Sequence, residues 1–336
     1  MNWFYELTGF RETQPEEVRG KIQLNGETLI SRVNGRKLVC GRLETLQLSE
    51  LRARAADTQE NGGRLRVTEI VADAQQLHAD IPHAGALFQV ASQFNLLEMI
   101  SPNVTPEDGV GRYENDHTQG PACAISAGAG TIYRNYFALV NGKIGQTAGN
   151  QIDCLADLGK AFGNANGRLW EMRNGYALAT RKGLEEISER LHACTEAEMD
   201  QLRGLLRIGL QWNTQVTLPG CSHLVSQAYC SALPVSHGVF PTEQWESFAS
   251  LVLEAAYEAT LWAALINARI TGSQKVFLTL LGGGVFGNPT AWILDALRLA
   301  LPIFGNFDLD VNLVSYRVSN PQVRDLANQF NGWRSK

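Results

Sequence analysis

Two stretches of this 336-residue chain hold residues whose types and spacing suit chemistry. "LGGGVFGNP" (281–289) sets Gly282, Gly284 and Gly287 at the G-x-G-x-x-G spacing of a dinucleotide-binding turn. The run before it, "KVFLTL" (275–280), reads as a strand, and "TAWILDALRLAL" (290–301) reads as a helix. Such a junction leaves backbone N–H groups free at the positive end of a helix, where an anionic oxygen is held. Asn288 suits the N-cap and Pro289 the first helical position. The alternative is a glycine turn that only lets strand and helix pack closely. The second stretch is "SPNVTPEDGVGRYENDHTQGP" (101–121), with four acids and little periodicity. A loop this long in a compact domain is usually functional or disordered. The small-residue run "ACAISAGAG" after it reads as packed, which favours function.

The elements around these stretches follow from periodicity and turn residues. Residues 20–44 alternate and carry Asn25-Gly26 and Asn34-Gly35, an antiparallel meander. A helix is expected over 45–56, then strands at 64–71 and 86–91. Hairpins are expected around Asn141-Gly142 and Asn174-Gly175, and amphipathic helices over 183–194 and 196–209. Strands follow at 211–218 and 224–235, then a long helix over 243–268, the strand before the glycines, and a last strand over 309–318. From residue 220 strand and helix alternate, the pattern of a largely parallel sheet with helices on both faces. The hairpins of the first half make the sheet mixed.

Composition narrows the function. The chain is 44% hydrophobic and 19% charged, with a net charge of −5. That balance argues against a broad nucleic-acid surface, which needs a basic excess. It allows a small anion held by backbone N–H groups. The six cysteines form no C-x-x-C pair and read as reduced thiols; the six histidines are scattered, so no metal site is expected. The first residues lack the pattern of a secretory signal. The apolar run 248–266 contains Glu254 and Glu258, which makes it a core helix rather than a membrane span. A cytoplasmic protein is expected, or one acting in a host cytosol if it is a secreted effector.

A dinucleotide site makes further demands. Its glycines should open the domain, and an acid should end the next strand. Here only about 50 residues remain, and Asp308 and Asp310 stand at the beginning of that strand. A nicotinamide-dependent oxidoreductase is therefore the third reading, behind two others.

The first two come from a resemblance. "VFLTLLGGGVFGNPTAWILDALRLAL" resembles the second phosphate loop of macrodomains, the ADP-ribose-binding modules. Gly284, Val285, Phe286, Gly287 and Pro289 match its pattern; Asn288 departs from the usual aromatic. "HLVSQAYCSALP" resembles the strand before the macrodomain's long helix, and 309–318 the closing strand. "VADAQQL" (71–77) resembles the segment whose acid binds the adenine amino group, which maps to Asp73. "ALFQVASQFNLL" resembles the strand ending in Asn-Ala-Ala-Asn, and its last Asn maps to Asn95. The usual glycine-rich first loop is replaced by "PEDGVGRYENDHTQGP", and the paired glutamates of poly(ADP-ribose) glycohydrolases are absent. The acid-bearing loop is similar to that of the divergent MavL-type ADP-ribosylhydrolases, which act on ADP-ribosylated arginine of ubiquitin. In that comparison Asp108 and Asp116 fall where functional acids stand near the distal ribose. The resemblance covers roughly residues 64–320.

It implies an α/β fold, a three-layer α/β/α macrodomain-like mixed sheet. Residues 1–63 would form a hairpin-rich extension packed on a 64–336 ADP-ribose-binding domain. It also implies an ADP-ribosylhydrolase that frees a modified side chain, arginine and ubiquitin being the best guesses, with no cofactor and with ADP-ribose as ligand or product. The alternative is a reader that binds ADP-ribose without turnover. Hydrolysis of an N-glycosidic bond passes an oxocarbenium-like centre and needs a carboxylate to stabilise it or to activate water. Asp108 and Asp116 are the expected carboxylates, with Glu107 in reserve. Gly109 and Val110 would let backbone approach the ligand, and Gly282, Gly283, Gly284, Val285, Gly287 and Asn288 would cradle the diphosphate. Phe286 would pack on the ribose, Asn95 would hold its hydroxyls or close a turn, and Asp73 would accept from adenine or cap a helix. His117, Arg112 and Tyr113 have no decided role.

Overall fold

The computed structural model of the chain describes residues 2–56 and 62–333. α1 (Trp3–Thr8) starts at Asn2, whose side chain accepts from the N–H groups of Phe4 and Tyr5, and stops at Gly9 with φ +78°. α2 (Pro15–Lys21) opens on a proline. The meander follows as β1 (Ile22–Asn25), β2 (Thr28–Ser31) and β3 (Lys37–Val39), one antiparallel sheet. β4 (Arg42–Gln47) then leaves that sheet, and α3 (Leu48–Ala55) starts on a Gln47–Glu50 capping box. The helix expected from residue 45 is shorter, because 42–47 pairs with 207–212 of a second sheet.

That second sheet dominates the molecule. β5 (Arg66–Val71) leads through α4 (Ala74–Ala79) to β6 (Leu87–Ala91). The acid loop, two 3-10 turns at Pro106–Asp108 and Gly111–Asn115, runs into α5 (Gln119–Ser126) and α6 (Gly128–Tyr136). Hairpins β7–β8 (Leu139–Val140, Lys143–Ile144) and β9–β10 (Trp170–Arg173, Tyr176–Ala179) flank α7 (Ala156–Phe162). Both turn on the expected Asn-Gly pairs, with positive φ at each of the four residues. α8 (Arg181–Ala193) and α9 (Glu196–Gly204) precede β11 (Arg207–Gln215) and β12 (Leu224–Cys230). α10 (Glu246–Thr271), β13 (Lys275–Thr279), α11 (Thr290–Ala300), β14 (Asp310–Ser315) and α12 (Pro321–Trp333) complete the chain.

The strand order is β4-β11-β12-β6-β13-β14-β5. β4, β11 and β12 are antiparallel; β12, β6, β13, β14 and β5 run parallel. The sheet is mixed and lies between two helical layers, as expected. Alternation assigns the faces. Val276, Leu278, Val311 and Leu313 join the large core with α10 and α11, whereas Phe277 joins Leu77 and Phe88 on the other side. α10 is long and apolar enough to cross a membrane, yet 83% of its apolar window is buried within the fold. Its Glu254 and Glu258 pair with Arg203 at 2.7 Å and Arg52 at 2.6 Å. The stretch 1–63 divides in two. Residues 42–55 belong to the main sheet and its helical layer, while residues between Trp3 and Cys40 build a separate apolar cluster. In it Trp3, Phe4, Leu7 and Phe10 pack with Val110 and Tyr113 of the acid loop and Ile132 and Tyr136 of α6.

His78 on α4 sits at the centre of the second face. It is fully buried, stacks on Phe88 at 3.8 Å, and bonds Ala74 O and Gln227 Nε2. Burial lowers its pKa from 6.5 to about 4. The unfolded chain therefore binds the extra proton, and this contribution to stability is present above pH 6.5 and lost as pH falls toward 4. In full it is about 3 kcal/mol. Urea unfolding at pH 7 and pH 4 is expected to show that loss in wild type and a smaller one in His78→Gln.

Candidate active-site crevice

The crevice arises where two parallel strands part. β6 and β13 pair only at Leu87–Val276 and Phe88–Phe277. Beyond that point Gln89 spans the gap, accepting from Thr279 N and donating to Thr260 Oγ1. Ligands of open α/β sheets bind at such openings, at the carboxyl ends of the strands. The space here is about 680 Å³, within the range of small-molecule sites. Phe88, Phe277, Leu77, Val314 and Tyr316 line one part of it; the glycine loop, Tyr176, Asp116 and Glu98 line another.

The glycine loop forms one wall. Gly282 has φ +74°, and a Cβ there would overlap Ala232 and lie 2.6 Å from Asn288 Nδ2. Gly287, at φ +69°, is pressed against Ser236. Gly284 has open space around it. Asn288 is buried behind the loop, and its amide donates to Leu233 O at 2.8 Å and Gly282 O at 3.3 Å. It pins the loop instead of capping α11, which begins one residue after Pro289. Ser236 holds the far side, its N–H on Phe286 O and its hydroxyl on Val285 O. Among the described residues the N–H groups of Gly282, Gly284, Val285 and Phe286 donate to no protein acceptor. Four unmade donors on a crevice wall suit a phosphate. Gly287 and Asn288 stand outside the lining, while Gly282, Gly283, Gly284, Val285 and Phe286 are in it. The ring of Phe286 packs 5.3 Å from Tyr176 and 5.6 Å from His237, and burial lowers the His237 pKa.

The acid loop separates its two aspartates. Asp116 lines the crevice; its Oδ1 accepts from Thr118 N at 2.9 Å, and its Oδ2 takes no hydrogen bond among the described residues. Asp108 lies outside the lining. Its Oδ2 accepts from Thr105 N and Oγ1 at 2.8 and 3.1 Å, a reciprocal cap of the Pro106–Asp108 turn, and Arg112 stands 3.7 Å from its Oδ1. Glu107, the reserve acid, accepts from Ala148 N. Gly109 and Val110 also face away. Val110 is buried in the N-terminal cluster, and the N–H groups of Val110 and Gly111 donate to Glu12 at 2.9 and 2.6 Å. A Cβ at Gly109, where φ is +84°, would overlap that carboxylate. The concave backbone expected to meet a ligand is thus filled from within. Burial raises the Glu12 pKa against the bonds from Tyr136, Val110 and Gly111.

The remaining expected residues make local bonds. Asp73 caps α4 through Gln75 N at 2.8 Å and receives Gln119 Nε2 at 3.2 Å, while Ala74 beside it lines the crevice. Asn95 is fully buried, binds Leu97 N and Gln151, and closes the turn after β6. In both, the second of the two readings describes the bonds present. Asp308 receives Gln274 Nε2, and Asp310 opens β14, the end of the sheet opposite the crevice. Neither aspartate stands at the carboxyl end of the strands, where the glycine loop lies.

Tyr176 and Glu98 are among the lining residues that the sequence did not single out. Tyr176 comes from the second hairpin and donates to Met99 O at 2.6 Å. Glu98 lies in "FNLLEMI" and is 5% exposed; its Oε1 is buried without a partner. An acid inside an apolar run was the available signal. Among the described residues no group of three or more His, Cys, Asp or Glu is placed to hold a metal ion, and the six cysteines are free.

No family model matches this chain, and no curated protein matches it. Its structure is similar to solved poly(ADP-ribose) glycohydrolases. That of Thermomonospora curvata is 13% identical, with a TM-score of 0.45 over 93% of this chain and 94% of that one. The Deinococcus radiodurans enzyme in complex with ADP-ribose is 11% identical, with a TM-score of 0.42 over 87% and 94%.

Proposed function

We propose that the chain is a macrodomain-like ADP-ribosylhydrolase that releases ADP-ribose from a modified protein side chain. The observation that carries this is a single crevice. It joins four unpartnered N–H donors at Gly282–Phe286 to the free carboxylate oxygen of Asp116, from segments about 170 residues apart. The donors suit a diphosphate, and the apolar end around Phe88 and Phe277 suits a nucleobase. Phe286 and Tyr176 offer flat apolar faces to a ribose beside Asp116. In the proposed reaction the Asp116 carboxylate stabilises the developing positive charge at the anomeric carbon and orients the attacking water. Thr118 N fixes one of its oxygens and leaves the other for this task.

Arginine is the proposed modified residue. The loop that carries Asp116 also holds Glu107, Asp108 and Glu114 against one arginine, Arg112, and this net negative balance favours a cationic substrate side chain. Ubiquitin as the carrier protein rests on the sequence resemblance. The rival reading, a reader without turnover, is favoured by the engagement of Asp108 in its own turn, which leaves one of two expected acids in the crevice. Incubation with arginine-ADP-ribosylated protein separates them: the hydrolase releases free ADP-ribose catalytically, and a reader binds and releases none.

A further inference from the structure

We propose that Glu98 is the proton donor of this reaction, protonating the leaving group while Asp116 serves the incoming water. The inference rests on the hydrolase reading above. Glu98 lies on the crevice wall, and its carboxyl makes no hydrogen bond among the described residues. Its Oε2 is packed against the first turn of α5, where a Cβ on Gly120 would come within 2.6 Å. A buried carboxyl with an unmade bond is costly, and glutamine or leucine would fill the place at less cost. Such groups are kept where their proton is used, and two carboxyls in unlike environments divide acid and base roles.

The groups facing Glu98 come from every packed element. Arg134 is on α6, Asp116 on the acid loop, Cys123 on α5, Tyr176 on β10 and Tyr229 on β12. Tyr113 accepts the Glu98 N–H at 2.9 Å. Arg134 is fully buried, stacks over Tyr229 at 3.6 Å and bonds Leu96 O and Thr131 Oγ1. Its Nη1 is buried and makes no hydrogen bond among the described residues. Burial raises the Glu98 pKa well above the usual carboxylate range; Asp116 adds to this and Arg134 opposes it.

In the proposed step the bond between the anomeric carbon and the guanidine nitrogen breaks. Its electron pair stays on nitrogen, which takes the Glu98 proton. Water adds to the anomeric carbon and gives its proton to Asp116. Solvent returns one proton to Glu98 and removes one from Asp116, so the net change is one water consumed.

The test compares wild type with Glu98→Gln on two substrates: arginine-linked ADP-ribose, and ADP-ribose bearing p-nitrophenoxide, which leaves without a proton. On the first, Glu98→Gln is expected to lose about 10²–10³-fold in kcat/KM; on the second, less than about tenfold. ADP-ribose affinity should stay within a few-fold. The wild-type profile should fall at alkaline pH as Glu98 loses its proton, and this limb should be absent in the variant. Folding gives a separate readout. Because the folded-state pKa is raised, wild type loses stability as pH rises above about 4.5. Glu98→Gln should therefore melt higher than wild type at pH 8, with no such advantage at pH 4. Undiminished turnover of the arginine-linked substrate, or equal loss on both substrates, overturns the proton-donor role. Wild type that binds ADP-ribose and turns over neither substrate overturns the hydrolase reading itself.

Discussion

Asp116→Asn is expected to reduce ADP-ribose release from arginine-modified protein by about 10²–10⁴-fold. Affinity for ADP-ribose should remain within a few-fold of wild type. The substitution keeps the size of the side chain and its bond to Thr118 N, and removes the carboxylate charge from a residue that lines the crevice. Asp108→Ala is the matched control. Asp108 spends its carboxylate on Thr105, outside the crevice. Its loss should cost about 0.5–2 kcal/mol of stability, as loss of a cap does, and leave turnover within a few-fold. Release assays on both variants, with melting curves, check the pair. A dead Asp108→Ala beside an active Asp116→Asn would reverse the assignment.

Gly282→Ala is expected to weaken ADP-ribose binding by at least about thirtyfold, or roughly 2 kcal/mol. A side chain at φ +74° is strained, and its Cβ would strike Ala232 and the Asn288 amide. The loop must then shift, and with it the N–H groups of Gly284, Val285 and Phe286. Gly284→Ala is the contrast: it meets nothing within 4 Å, so binding should change less than about threefold. Should Gly282→Ala fold poorly, Asn288→Ala tests the same wall from behind, because it removes the bonds to Leu233 and Gly282. Calorimetry on the three variants is the check. Equal affinities across them would remove the glycine loop from the site.

The second half of the fold was legible because its signals are local. Strand and helix alternate from β12 to β14, each element long enough to show its period. Asn-Gly pairs fixed both hairpins. The register of β11 was not legible. "LRIGL" continues the helical spacing of α9, yet pairing with β4 and β12 makes it a strand. α12 lies beyond the last strand the pattern suggested, packed beside β5 with Val323 buried in the main core.

The site shows the same division. Glycine type and spacing marked the loop, and at Gly282 and Gly287 a positive φ and a tight approach both demand glycine. Side-chain direction was hidden. Asp108 and Asp116 look alike in sequence, and only the 3-10 turn between them turns one outward. Asp73 and Asn95 had two readings each, and in both the local turn supplies the bonds. Glu12 lies in the stretch that no motif covered, yet it fills the backbone hollow at Val110 and Gly111. Glu98 is marked in the sequence only as an acid inside an apolar run, and its burial beside the crevice comes from the fold.

The most direct measurement is titration of the purified protein with ADP-ribose by calorimetry. A one-to-one complex with a Kd in the submicromolar to micromolar range, near −8 kcal/mol, is expected. No binding at millimolar ADP-ribose would contradict the account at its centre.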